Sequence, residues 1–271
     1  MIAINDKEFF LLVDFLQKKF GINLTKKRTL IESRLNNFLI ENGFFNYETF
    51  LNCAFKDKTG NMLNQIINRL TTNYSYFMRE WDHFEFFKDH VLPEIKAREK
   101  HNDLRIWSAG CSTGQEPYML AMLIADSFRG IRDNWDTKIL ATDISQKALQ
   151  AAQKGEYDDE CLKNVPQDWK RKYFIRRNDG KWEVKKIIKD EVVFRRLNLI
   201  ENQFSFKRKL HIIFCRNVMI YFNQQTKAKL VEKFYEATAD CGYLFIGQSE
   251  TLDLSTIRYK NVRPSIYKKG V

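Results

Sequence analysis

The side chains best placed for chemistry sit where apolar runs stop. Ile106-Trp-Ser-Ala-Gly-Cys-Ser-Thr-Gly-Gln-Glu-Pro117 leaves an apolar run, crosses small residues and enters a helix that starts near Pro117. Small residues at Ala109, Gly110, Ser112 and Gly114 let a ligand lie against the backbone, and a helix N-terminus offers it unpaired N–H donors. A nucleotide binder or a tight packing turn could equally use such a loop. A second run ends in Ala141-Thr-Asp143. In a parallel sheet this sets a carboxylate beside the first loop, where it can accept hydrogen bonds from two ribose hydroxyls. Asp143 could instead cap the helix that starts near Ser145. Loop and acid together favour an adenosine-containing ligand, without separating a nicotinamide dinucleotide from S-adenosylmethionine.

The elements that must position these residues follow from periodicity. From Leu104 onward, short β-type runs alternate with helical ones, the pattern of a doubly wound, mostly parallel α/β sheet. The predicted strands are Leu104 to Ser108, Lys138 to Thr142, Val192 to Asn198, His211 to Cys215 and Tyr243 to Gly247. Helices are predicted over Glu116 to Phe128, over Ser145 to Lys154 with Gly155 as the stop, and over Gln224 to Ala239 with Asn223 as cap. Lys172 to Arg177 and Trp182 to Ile188 flank Asn178-Asp-Gly180, a turn suited to positive φ, and predict an inserted antiparallel hairpin.

Before Leu104 the chain reads as helices joined by short turns. Asn5 and Glu8 have the spacing of a capping box, and Phe9, Leu12, Val13, Leu16 and Phe20 recur at helical spacing behind it. Similar stripes run through Leu30 to Ile40 and Met62 to Leu70, and Trp81 to Arg98 is helical but interrupted by Pro93. These stripes are expected to form a helical core.

With 271 residues, 44% of them hydrophobic, the chain can bury one large or two unequal cores. The five cysteines are odd in number, widely spaced and never C-x-x-C, which argues against a disulfide framework and a zinc site; no metal is expected. The start of the chain lacks a secretory pattern, and no apolar run approaches the ~20 residues of a membrane span, so a soluble cytoplasmic protein is expected. The net charge of +11 is uneven: between Lys170 and Leu210 there are fourteen Lys or Arg against five Asp or Glu. A second basic run spans Arg258 to Lys269, and a third gathers Lys18, Lys19, Lys26, Lys27, Arg28 and Arg34. Such runs are either solvated surface or a docking face for an acidic polymer.

Five segments, in order, resemble the CheR family, the methyltransferases of bacterial chemoreceptors. They are Thr71-Thr-Asn-Tyr-Ser-Tyr-Phe-Met-Arg-Glu80 with His83-Phe84, Ser108-Ala-Gly-Cys-Ser-Thr-Gly-Gln-Glu-Pro-Tyr118, Ala141-Thr-Asp-Ile144, Ile213-Phe-Cys-Arg-Asn-Val-Met-Ile-Tyr-Phe222 and Gly242-Tyr-Leu-Phe-Ile-Gly-Gln-Ser-Glu250. The resemblance covers nearly the whole chain. It implies a class I S-adenosylmethionine-dependent methyltransferase fold with a small all-helical N-terminal domain, about residues 1–80. A catalytic domain, 81–271, would follow, carrying a β-subdomain at about 172–190.

The same resemblance implies S-adenosylmethionine as methyl donor, S-adenosylhomocysteine as product, and glutamate side chains on the receptors' cytoplasmic helices as acceptors, giving methyl esters in chemotaxis adaptation. Carried over by motif, cofactor contacts fall on Asn73, Ser75, Arg79, Glu116, Asp143, Asn198, Leu199, Arg216 and Asn217, with Arg79 and Tyr221 near the reacting methyl group. The basic run from Lys18 to Arg34 is expected to help hold the acidic receptor helices. In some members the β-subdomain grips a peptide at the receptor's C-terminus; here the turn from Arg177 to Lys181 is short, which argues against such a tether. Gln115 stands where the family often has Glu, His211 where Asp commonly precedes the apolar run, and Gln248 where His is usual. Two other functions fit parts of the sequence: an RNA methyltransferase, given pI ≈ 9.3, and a non-enzymatic cofactor-binding regulator.

Overall fold

The computed structural model describes residues 2–71, 74–130, 134–201 and 203–270. Helix α1 (Asp6–Phe20) starts on the expected capping box: Glu8 N–H donates to Asn5 Oδ1 at 2.9 Å and Asn5 N–H to Glu8 Oε2 at 2.8 Å. Gly21, at φ 73°, ends it in the left-handed region. Its apolar stripe packs with α2 (Arg28–Glu41), α3 (Tyr47–Lys56) and α4 (Asn61–Leu70) in a core that includes Leu12, Leu16, Ile31, Leu35, Phe50 and Ile66. Helix α3 is an addition to the sequence reading, although its buried Tyr47, Phe50, Leu51 and Ala54 recur at helical spacing; its start is fixed by Asn46 accepting the Thr49 N–H at 2.8 Å.

Pro93 does not interrupt the next helical stretch. Helix α5 (Trp81–Phe86) runs through a π-turn, Phe87–Val91, into α6 (Leu92–Arg98), with the Leu92 N–H reaching back five residues to Phe87 O. A proline removes one N–H and crowds the carbonyl four residues earlier; the wider turn ahead of it opens the room that a regular helix lacks.

From edge to edge, the main sheet orders its strands Val192–Arg196, Ile139–Asp143, Ile106–Ala109, Leu210–Cys215, Thr238–Ile246, Ile266–Lys268 and Lys260–Arg263. Strands β1 (Ile106–Ala109), β2 (Ile139–Asp143), β6 (Val192–Arg196), β7 (Leu210–Cys215) and β8 (Thr238–Ile246) run parallel. β1 and β7 are buried along their whole length, as central parallel strands covered on both faces must be. Helices α7 (Gln115–Ser127), α8 (Gln146–Lys154) and α11 (Gln224–Ala237) cross over between them. Two strands were not anticipated: β9 (Lys260–Arg263) and β10 (Ile266–Lys268), antiparallel at the sheet edge, lie in the segment read only as a basic run. Ile266 and Tyr267 are buried there, but three residues give too short a period to register.

The inserted hairpin is smaller than expected and has a third strand. β4 (Phe174–Arg176) and β5 (Trp182–Val184) pair across a turn with Gly180 at φ 81°, and β3 (Glu156–Tyr157) joins the other edge of β5. The flanks assigned to the hairpin are helical instead, in α9 (Gln167–Tyr173) and α10 (Lys186–Lys189). Much of the basic excess here faces its own acids: Arg176 pairs with Asp159, Arg177 with Glu156 and Glu183, Lys189 with Glu183 and Lys186 with Asp190.

Candidate active site

The C-terminal ends of β1, β2, β6 and β7 open onto one cleft, with about 1030 Å³ of empty space including its solvent mouth. That is the end of a parallel sheet where ligands gather. Ser75, Arg79, Glu116, Asp143, Asn198, Leu199, Arg216, Asn217 and Tyr221 all line it. Asn73, the remaining expected contact, lies outside the described residues.

The β1–α7 loop is built for packing as much as for a ligand. Gly110, at φ 90°, lines the cleft, but a Cβ there would lie 2.3 Å from Val218 Cγ2; a Cβ on Gly114, at φ 96°, would meet the Ala152 Cβ at 2.9 Å. Both glycines therefore bring backbone against protein neighbours, rather than only leaving space for a ligand. Asp143 holds the loop in place: its Oδ2 accepts the Ser112 N–H at 2.9 Å and its Oδ1 the Ser145 N–H at 2.8 Å. The cap of α8 is Ser145 itself, whose hydroxyl accepts the Ala148 N–H at 3.1 Å. A carboxylate has about four lone-pair sites, so Asp143, which takes backbone N–H groups of Ser112, Ser145 and Ile144, keeps acceptor capacity toward the cleft. Burial raises its pKa, and the surrounding backbone N–H groups oppose that rise.

Along the same cleft, a charge network ties three segments together. Glu116, in the first turn of α7, accepts the Ser108 hydroxyl at 2.7 Å on Oε1 and Arg216 Nη1 at 2.9 Å on Oε2. Arg216, at the end of β7, also donates through Nε and Nη2 to Glu80 Oε2 at 3.2 and 3.1 Å, and through Nη2 to the Arg79 carbonyl. Burial pushes the Glu116 carboxyl up despite Arg216. For Glu80, burial is outweighed by Arg216 and Asn217, and its pKa falls. Asn217 takes φ 58°, sends Nδ2 to Glu80 Oε1 at 3.1 Å, and gives its backbone N–H to Glu250 Oε2 at 2.8 Å. Buried Glu250 also accepts the N–H groups of Ile220 and Gly247, so it shapes the turn that carries Tyr221.

Arg79 reaches the cleft from the helical side. Its Nη1 donates to the Tyr74 carbonyl at 2.9 Å and its guanidinium lies 5.9 Å from the Tyr76 ring centroid. The N-terminal helices close that wall: Phe20 and Ile22 line the cleft, Asn23 N–H donates to Tyr221 O at 2.8 Å, and Asn198 Nδ2 donates to Lys19 O at 2.8 Å. Glu80 and Glu250 are site residues that the sequence reading leaves out, although each closes a quoted motif; their place at the motif ends, Glu80 directly after Arg79 and Glu250 three residues after Gly247, was the available signal. Of the N-terminal basic run, Arg28 caps the Ile4 carbonyl and pairs with Asp6, and Arg34 donates to the Arg69 and Leu70 carbonyls. Lys26 and Lys27 are exposed.

Among the described residues, no cluster of His, Cys, Asp or Glu has the makings of a metal site, and no helix is long and apolar enough to cross a membrane. A doubly wound sheet whose first loop, second-strand acid and later strand ends share one cleft is a framework for an adenosine-containing ligand. Residues 73–267 match the model of the CheR methyltransferase SAM-binding domain and residues 7–71 that of the CheR all-alpha domain, and the chain belongs to the CheR methyltransferase family. It is 41% identical over 274 residues to the chemotaxis protein methyltransferase of Borreliella burgdorferi, covering 99% of this chain and 96% of that one. Chemotaxis protein methyltransferase 1 of Pseudomonas aeruginosa is 35% identical, with 95% of each chain covered. The chemotaxis protein methyltransferase of Escherichia coli is 34% identical, with 92% of this chain and 86% of that one covered. The chain is thus a methyltransferase of the chemotaxis type, with S-adenosylmethionine as its methyl donor.

Proposed function

We propose that this enzyme methylates glutamate side chains on the helical cytoplasmic region of chemoreceptors, forming methyl esters. The observation that carries the proposal is the convergence of Arg79 and Tyr221 on the cleft that Asp143 and Glu116 also line. A glutamate carboxylate, with a reference pKa of about 4.3, is ionised at neutral pH and needs no general base. The requirement is alignment in a site with little competing water. Arg79 orients the incoming carboxylate, and Tyr221 positions the methyl group.

Asp143 holds the ribose hydroxyls, Glu116 the ammonium of the methionyl portion, and Asn198 and Leu199 the adenine side. Ser75, Arg216 and Asn217 complete the wall, with Asn73 assigned to it from the motif alone. When bound, S-adenosylmethionine supplies a methyl group activated by a sulfonium. Exposed Lys26 and Lys27 on the helical domain, residues 1–80, attract acidic receptor helices. The β-subdomain turn is short and its arginines are committed to nearby carboxylates, which argues against a receptor tether there.

The test is incubation with labelled cofactor and receptor fragments, with mass spectrometry to locate the label and mild base to release it as an ester. A base-stable label, or label found on RNA instead of receptor, rejects the proposal. Arg79→Ala and Tyr221→Phe should each lower turnover at least tenfold; unchanged turnover in both removes their assigned roles.

A further inference from the structure

Arg216 is one cation set between two carboxylates. Its Nη1 faces Glu116 Oε2 at 2.9 Å, while Nε and Nη2 face Glu80 Oε2 at 3.2 and 3.1 Å. The three groups carry a formal charge of −1 when both acids are ionised. The Arg216 side chain is 3% exposed and that of Glu80 12%, so solvent screens this imbalance poorly. His83 stands behind Glu80, with Nδ1 3.5 Å from Glu80 Oε2, and neither ring nitrogen has a hydrogen-bond partner. Burial and Arg216 hold the His83 pKa down to about 4, so the ring is neutral at working pH and does not cancel the excess charge.

We propose that Glu80 is a positioning residue for cofactor binding: it holds part of the Arg216 guanidinium away from Glu116, so that Glu116 keeps uncompensated negative charge for the ammonium of the methionyl portion. The proposal rests on the reading of Glu116 as the ammonium acceptor. Without the Glu80 charge, Arg216 and Glu116 form a neutral pair, and a cationic group entering the cleft loses its attraction.

Glu80 is also geometrically set for this task. It takes φ 53° and Met78 φ 68°, two non-glycine residues in the left-handed region on either side of Arg79. Asn217 Nδ2 engages Glu80 Oε1 at 3.1 Å, which turns Oε2 to Arg216. Among the described residues, the charged and titratable groups around Glu116 include Arg216, Glu80 and the thiols of Cys111 and Cys215, with His83 beyond Glu80 and with Arg79 and Asp143 on the same cleft. Burial raises the Glu116 carboxyl, Arg216 opposes this, and Glu80 adds a further upward push. Removing the Glu80 charge should therefore move the acid limb of cofactor binding to lower pH, a shift that loosened packing alone would not produce.

The experiment titrates S-adenosylhomocysteine, and 5′-methylthioadenosine, which lacks the amino-acid portion, into the full chain by calorimetry. Glu80→Gln should weaken S-adenosylhomocysteine roughly tenfold, the effect of one unit charge several ångströms away in a partly desolvated site, and leave 5′-methylthioadenosine within twofold. Glu80→Asp, which keeps the charge, should hold the ratio of the two affinities within threefold of the wild-type ratio. Should Glu80→Gln not fold, Glu80→Asp decides alone: a tenfold collapse of the ratio overturns the proposal. Equal weakening of both ligands by Glu80→Gln, or no weakening of either, also overturns it. Glu116→Gln tests the underlying reading separately: an unchanged ratio there rejects Glu116 as the ammonium acceptor. A ratio changed by Glu116→Gln but not by Glu80→Gln rejects only the role of Glu80.

Discussion

Asp143→Asn separates the two tasks given to one buried carboxylate. Each oxygen of Asp143 accepts a backbone N–H, from Ser112 at 2.9 Å and from Ser145 at 2.8 Å. The amide must turn its NH₂ toward one of those donors, which converts a hydrogen bond into an opposed pair, and one ribose hydroxyl loses its acceptor on the same atom. A hydrogen bond to a charged group contributes about 1.5–3 kcal/mol. For folding, a compensating effect exists. Burial raises the Asp143 pKa, so the stability associated with this group is full below the unfolded-state pKa and is lost as pH rises through the folded-state value. At neutral pH the uncharged amide recovers part of that loss, and the net change in stability should stay near about 1 kcal/mol. For binding no such compensation operates, and the loss of about 1.5–3 kcal/mol corresponds to roughly tenfold to a hundredfold weaker affinity. Calorimetry with S-adenosylhomocysteine and with 5′-methylthioadenosine should show both weakened together, because both carry the ribose. Binding within threefold of wild type for both ligands, in a variant with an unchanged melting temperature, would refute the ribose role.

Gly110→Ala should destabilise the chain by about 2–4 kcal/mol, combining the strain of φ 90° with a Cβ placed 2.3 Å from Val218 Cγ2, as measured by denaturant unfolding. Adding Val218→Ala should recover the packing share and leave the backbone share. Acid should destabilise the fold early: His83 and His211 are both held down to about 4, by burial first and then by Arg216 and Arg105 respectively. Between about pH 6.5 and 4 the unfolded chain binds more protons at these two sites, so stability falls as pH falls through that window. Each contributes a slope of at most about 1.4 kcal/mol per pH unit, and His83→Gln with His211→Gln should flatten the melting temperature against pH over that range.

The framework was legible where residues obey one strong local rule. Asn5 and Glu8 mark the start of α1, Gly155 the end of α8, and the continuous apolar runs through Trp107 and Ile213 the two central strands. The cleft followed because the motif residues fall at the ends of those strands. What escaped was structure set by distant partners. β3 is two residues long and exists because β5 offers its edge. β10 is held by β8, and its residues Ile266-Tyr-Lys268 carry no period of their own. Pro93 reads as a break until the π-turn before it is seen. Glu80 and Glu250 were hidden for a related reason: a sequence shows an acid but not which guanidinium or backbone N–H it meets.

The same dependence on distant partners explains why a helical domain belongs in this site. Phe20 and Ile22 line the cleft, and the helical domain is fastened to the strand ends at several points around the opening. Asn23 N–H holds the Tyr221 carbonyl, Asn198 Nδ2 holds the Lys19 carbonyl, and the Ser145 hydroxyl pairs with Asn68 Oδ1 at 2.7 Å. Two of these anchors, Asn198 and Tyr221, are assigned to the cofactor or to the reaction, and Ser145 is bonded to Asp143. A movement of the helices relative to the sheet therefore displaces cofactor contacts and the Tyr221 turn together. Asn23, which fixes the Tyr221 carbonyl, lies in the same α1–α2 connection as the exposed Lys26 and Lys27, so on the proposed reading an acceptor held by those lysines would sit beside the segment that sets the Tyr221 turn.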